Sequence, residues 1–165
     1  MTEIHSFAEI DASLRSIDTG EPATAKRRLF ASAARFQNRA VKPREWLVEG
    51  FIPNGTVTLL GGDGGSGKSL LAMMLAIATA STKDVRWLGR LPVQGPAIYC
   101  GAEDDIDEMH RRMADITDAN FIQFTDLERL HVCSLAGQDA LLAVENPKTK
   151  VLAATPLFAE IRDKI

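Results

Sequence analysis

The stretch "GGDGGSGKS", Gly61–Ser69, carries five glycines in nine residues and runs straight into the apolar segment "LLAMMLAIATA". Glycine weakens both helices and strands, so a dense run of it in front of a buried-looking helix needs a reason. Gly62–Ser69 reads G-D-G-G-S-G-K-S and fits the pattern G-x-x-x-x-G-K-[ST] completely. The chemistry gives each residue type a task. Glycines let the backbone turn so that successive N–H groups of Gly62, Asp63, Gly64, Gly65, Ser66 and Gly67 point inward and form an anion nest. The helix opening near Gly67, through Lys68, Ser69 and Leu70, aims its positive end at the same spot. Lys68 brings a full charge to the β- and γ-phosphates, and the Ser69 hydroxyl is a small, hard ligand for Mg²⁺. The stretch predicts a nucleoside triphosphate site with Mg²⁺.

The surroundings agree in kind. "TVTLL", Thr56–Leu60, is β-branched and apolar and predicts a strand leading into the loop. "EWLVEGFI" before it predicts another strand, with Pro53, Asn54 and Gly55 as the turn between the two. The helix expected over Gly67–Ala80 is apolar on nearly every side and should be buried. "GPAIYCGAE" and "LHVCSLAG" predict core strands. "DDIDEMHRRMADI" predicts a charged helix whose first-turn acids favour the positive end of the helix dipole. In "TPLFAEIRDKI", Thr155 is the expected cap and Pro156 the first helical residue. Strands alternating with helices argue for an α/β domain with a mostly parallel sheet.

The 165 residues suffice for one domain with a real core. Hydrophobic content of 45% and charged content of 25% are those of an ordinary globular protein. No apolar run reaches the roughly 18 residues of a membrane span. The acidic start "MTEIHSFAEID" lacks the apolar core of a signal peptide, which leaves the cytoplasm as the default location. Cys100 and Cys133 sit in apolar runs and are read as two reduced core thiols.

The net charge of −3 conceals a pattern. Residues 1–25 hold five acids and one base, residues 26–44 hold seven bases and no acid, and the remainder holds eleven bases and seventeen acids. The basic stretch suits nucleic acid, an acidic neighbouring subunit or a solvated linker helix. "SFAE" is a capping box, and Phe7, Ile10, Leu14 and Ile17 follow at helical spacing up to a stop near Gly20 and Pro22. A second helix is expected through the basic segment to about Asn38. Residues 1–43 are read as an N-terminal helical arm and residues 44–165 as the nucleotide-binding part.

Hydrolysis needs a group that orients or deprotonates water. Glu103 stands at the C-terminal end of "AIYCGAE", the strand edge where parallel sheets hold ligands. On spacing alone it either faces the γ-phosphate or, with Asp104 and Asp105, caps and charges the next helix, the capping role suiting Asp105. An aspartate after an apolar strand, the usual second Mg²⁺ group, is not found: Asp139 falls in a turn. His110, Arg111 and Arg112 read as a solvated helix face, with an inter-subunit role as the alternative. His131 is read as structural. Trp46 suits either stacking on an adenine or anchoring the arm.

"REWLVEGFIPNGTVTLLGGDGGSGKSLLAMMLAIA", "GPAIYCGAEDDIDEMHRRM" and "RLHVCSLAGQDALL" together resemble the RecA-like ATPases of the plasmid RepA helicase type, often labelled AAA-family ATPases. The resemblance covers about residues 41–165. It implies a RecA-like three-layer sandwich, Glu103 as the catalytic glutamate, DNA as a partner and a hexamer as the assembly. In that family an Mg²⁺-side aspartate follows a helix like "TPLFAEIRDKI". The chain is therefore expected to be the N-terminal portion of a longer ATPase, ending before the Walker B strand. Weak ATP·Mg²⁺ binding, little hydrolysis and an exposed sheet edge or core face are the expected consequences. The alternatives are a P-loop kinase, for which no arginine-rich lid is visible, and a non-enzymatic partition-type protein, whose early loop lysine is replaced here by Asp63.

Overall fold

A computed structural model describes residues 30–148 and 150–164. The helix expected over Phe7–Ile17 lies outside them. The chain divides into two compact units. One spans Arg44–Ala140, and the other takes in the described residues before Arg44 together with Leu141–Asp163.

The first unit opens with a hairpin. β1 (Trp46–Val48) pairs antiparallel with β2 (Ile52–Pro53), in the register Trp46↔Pro53 and Val48↔Ile52. The turn therefore falls at Glu49–Phe51, where Gly50 takes φ 76°, and Pro53 belongs to the second strand. After it comes the largest departure from expectation. Thr56–Leu60 is not a strand: it forms no ladder, and Val57 and Leu59 are 101% and 92% exposed. Its residues favour a pleated surface, but a strand exists only where a neighbour takes up its N–H and C=O groups. Among the described residues none does.

α1 (Lys68–Ala80) follows the phosphate-type loop, as expected. Its Leu, Met and Ala are strong helix formers, and it holds no Gly or Pro. It stops at Ser81, where the backbone turns extended. Met73, Ile77, Ala78 and Ala80 are buried, whereas Leu70 at the loop end is exposed. The helix is thus a core element at its far end and a surface element at the loop.

β3 (Ala97–Gly101) and β4 (Leu130–Ser134) form the parallel pair, in register from Ala97↔Leu130 to Gly101↔Ser134. α2 (Ile106–Ala119) connects them. Asp105 caps it, accepting the Glu108 N–H at 2.7 Å, and Asp107 and Glu108 place negative charge on its first turn. Met109, Met113 and Ile116 recur at helical spacing and turn one face inward. They share a core with Met73, Ile77, Trp87 and Tyr99. Trp87 also donates its indole N–H to the Leu71 carbonyl at 2.9 Å.

In the second unit the described part of the basic segment, from residue 30 on, is not the expected long helix but holds a single 3-10 turn, Ala33–Phe36, with no buried residue. A helix gains most of its stability from packing an apolar face, and this one packs none. β5 (Ala143–Glu145) and β6 (Leu152–Ala154) form an antiparallel hairpin that the residue pattern did not announce. α3 (Pro156–Arg162) begins as expected, with the Thr155 hydroxyl accepting the Phe158 N–H at 3.4 Å. The described residues thus hold three two-stranded sheets, and only one is parallel. No helix of the described residues is long and apolar enough to cross a membrane.

Candidate functional site

The loop is built as its glycines require. Gly65 and Gly67 take φ of 72° and 82°, in the left-handed region that L side chains rarely adopt. They alternate with Gly64 and Ser66, which turns consecutive N–H groups toward one side. Ser66 tightens the bend, its hydroxyl donating to the Asp63 carbonyl at 2.7 Å. Lys68 folds back over the same loop. Its ammonium donates to the carbonyls of Gly62 at 2.9 Å and Asp63 at 2.6 Å, and to the Ser66 hydroxyl at 3.4 Å. The cation is therefore already over the nest, on exposed bonds that an incoming anion can displace. These bonds are exposed and exchange readily with water or an anion, so displacing them costs little.

A cleft of about 670 Å³ opens beside the loop. Gly64, Gly65, Ser66, Gly67, Lys68, Ser69 and Leu70 line it on one side, and Glu103 joins them from the end of β3. Gly62 and Asp63 take part through their carbonyls. Glu103 is exposed, and among the described residues it forms no ion pair. The two acids after it have other work. Asp105 caps α2, and Asp104 is held by Arg112 at 2.6 Å. The structure thus divides "EDD" by role: Glu103 lines this cleft, Asp104 pairs with Arg112 while lining a smaller cleft beside Lys68 and Ser69, and Asp105 caps the helix.

Arg112 corrects the reading of "HRR" as a solvated face. It bridges Asp104 and, at 2.9 Å, Glu108, and it lines the cleft. Asp115, Ile116, Ala119 and Asn120 line the cleft with it, which residue patterning had missed. The signal was helical: Arg112, Asp115, Ile116 and Ala119 recur at spacings of three and four. Arg111 stays exposed, paired with Glu108 at 2.9 Å. The two arginines hold the Glu108 carboxyl below its ordinary value through hydrogen bonds, Arg111 first. Tyr99 supports the floor by donating its phenol to the Ser69 carbonyl at 3.3 Å, and burial pushes that phenol up. Trp46 is half-buried in β1 with the Arg44 guanidinium 5.5 Å above its ring, and it does not line this cleft.

The family profile of an AAA domain matches residues 21–164. The chain belongs to the AAA domain family. It therefore stands among the nucleotide-binding P-loop ATPases, and the loop just described lies inside the matched AAA domain. No solved structure matches the chain. AAA ATPases bind ATP with Mg²⁺, and this AAA domain has donors that fit both. An amide nest and an ammonium suit phosphates, and the Ser69 hydroxyl suits a hard cation. Among the described residues no group of three or more His, Cys, Asp or Glu side chains could hold a metal. A divalent ion here would take most of its ligands from phosphate and water, as Mg²⁺ commonly does.

Proposed function

We propose that this chain is the nucleotide-binding part of a RecA-like ATPase of the DNA helicase type. The observation that supports the reading is one cleft shared by the Gly64–Leu70 loop and Glu103. The loop amides and Lys68 hold the phosphates of ATP. The Ser69 hydroxyl helps hold Mg²⁺, which supplies charge neutralisation when bound. Glu103, exposed and unpaired among the described residues, orients the attacking water and accepts its proton. Lys68 also steadies the charge that develops on the transferred phosphoryl group.

DNA as the substrate of motion, a hexameric assembly and a cytoplasmic setting complete the proposal. The sequence resemblance carries the first two, and the seven bases of residues 26–44 supply charge suited to DNA. Arg112 engages Asp104 and competes with Mg²⁺ for this carboxylate next to Glu103. Weak ATP·Mg²⁺ binding and slow hydrolysis are expected for residues 1–165.

The test titrates a fluorescent ATP analogue with Mg²⁺ and measures phosphate release. Glu103→Gln should keep the affinity and lower turnover by about 100-fold or more, the usual scale for a lost general base. Unchanged turnover in Glu103→Gln would remove Glu103 from its role. Absence of saturable nucleotide binding would sink the proposal.

A further inference from the structure

The chain holds two cysteines, and the structure places them opposite one another: Cys100 and Cys133 are register partners on the parallel strands β3 and β4. Side chains alternate along a strand, so Ile98 and Cys100 share one face with His131 and Cys133. Tyr99 and Val132 take the other face, toward the core, where Tyr99 reaches the Ser69 carbonyl. The thiols thus lie on the sheet face turned away from that core, and the expectation of two core thiols fails for Cys100, which is exposed, while Cys133 is half-buried. Cys100 also lines a cleft of about 310 Å³ together with Lys68, Ser69 and Glu103.

We propose that Cys100 and Cys133 form a reversible dithiol–disulfide couple beside the nucleotide loop. The geometry allows the bond. Neighbouring strands lie about 4.8 Å apart, inside the Cα separation of roughly 4.4–6.8 Å that a disulfide spans. Parallel Cα–Cβ vectors keep the Cβ atoms near the strand spacing, somewhat beyond a disulfide's optimum of about 3.8 Å. Closing the bond therefore draws the strands together and leaves it readily reducible, the character of a regulatory rather than a structural disulfide.

The oxidant is a low-molecular-weight disulfide, R–S–S–R. Cys100, the exposed thiol, loses its proton to solvent, and its thiolate attacks one sulfur. The R–S–S–R bond breaks, and RS⁻ leaves and takes up a proton. The Cys133 thiolate then attacks the Cys100 sulfur, the protein S–S bond forms, and the second RS⁻ leaves and is protonated. The protein loses two hydrogens, and the oxidant becomes two RSH. Burial, then the neighbouring Cys133 thiol, pushes the Cys100 thiol up, so the first step accelerates as pH rises.

The probe is oxidised glutathione, with intact mass as the readout on the full 165-residue chain. The wild type should lose the mass of two hydrogens, remain monomeric on a non-reducing gel and recover with dithiothreitol. Cys133→Ser should end with one glutathione on Cys100, and Cys100→Ser should stay largely unmodified. A wild type that keeps glutathione adducts, cross-links only between chains or stays reduced would overturn the proposal without recourse to any variant. The glutathione adduct of Cys133→Ser should bind a fluorescent ATP analogue at least threefold more weakly than the same variant reduced, because Cys100 adjoins Tyr99 on β3, whose phenol holds the Ser69 carbonyl at the loop end of α1. Equal affinities would overturn the coupling to the loop. That second readout rests on nucleotide binding at this loop and the mass readout does not, so the two can fail separately.

Discussion

At its C-terminal end α1 is held by groups from two other segments, whereas at its N-terminal end Lys68 reaches only its own loop. One is Gly95, whose N–H donates to the Thr79 carbonyl at 2.9 Å, and the other is the stretch 123–129. Arg129 donates to the carbonyls of Ala80 and Ser81 at 3.3 and 3.0 Å, capping carbonyls that the helix itself leaves unpaired. Asp126 accepts the Thr82 hydroxyl at 3.1 Å and the Gln123 N–H at 3.0 Å, and its own carbonyl accepts the Thr82 N–H at 2.9 Å. Ser81, Ile77 and Ala78 are fully buried there. The loop end, from Thr56 through Gly67, is exposed at every residue. The difference teaches how one helix serves two purposes. Packing fixes its direction from behind, and the front stays open, with its cation parked on displaceable bonds, where a ligand must enter.

The largest effect should come from the packed end. Ile77→Ala should cost about 2–5 kcal/mol, the range for truncating a fully buried aliphatic side chain. Urea unfolding followed by the fluorescence of Trp46 and Trp87 measures it. A loss under about 1 kcal/mol would mean that the helix is no better anchored behind than in front.

At the open end the expectation reverses. Lys68→Ala should weaken ATP·Mg²⁺ binding by about 10- to 100-fold, from one or two charged hydrogen bonds. Its melting temperature should stay near that of the wild type, because the lost bonds are exposed. Calorimetric titration and thermal unfolding read the two quantities apart, and a large drop in melting temperature would break the contrast.

Asp126→Asn tests the clamp through pH. Hydrogen bonds from the Gln123 N–H and then the Thr82 hydroxyl, with Lys83 nearby, hold the Asp126 carboxyl below its ordinary value of 3.8, against an opposing effect of burial. A depressed carboxylate stabilises the fold above its unfolded value and loses that contribution as pH falls through the folded one. The wild type should therefore exceed the variant in stability at neutral pH, and the gap should close as pH drops below about 3.8. Denaturant midpoints across that range decide it, and a gap that widens on acidification would refute the clamp.

The smallest effect belongs to the segment before the loop. Val57→Lys should change stability by no more than about 0.5 kcal/mol, as for other surface substitutions. A loss above about 2 kcal/mol would show that Thr56–Leu60 is packed after all.

The phosphate-type loop, α1, the Asp105 and Thr155 caps and the two strands β3 and β4 were legible in the residues. Each rests on local chemistry: glycine φ freedom, helix propensity, a side-chain oxygen near free N–H groups, or an apolar run of strand length. The failures share a cause as well. "TVTLL" has strand residues without a strand, because a ladder needs a neighbour that no local pattern reports. The described part of the basic segment, from residue 30 on, has helix formers without an α-helix, because none of its residues is buried. β5 and β6 were missed because their pairing joins short, weakly patterned runs.

The same division holds at the candidate site. By itself the sequence determined that an anion nest, a lysine and a serine hydroxyl stand together, since all three lie within Gly62–Ser69. Only the tertiary structure decided which of Glu103, Asp104 and Asp105 lines the cleft, that Arg112 reaches it from α2, and that Cys100 faces Cys133 across two strands. Glu103 and Arg112 lie more than thirty residues from the loop, as Cys100 does from Cys133, and their proximity follows from how β3, β4 and α2 pack with α1, which is a property of the whole unit rather than of any segment in it.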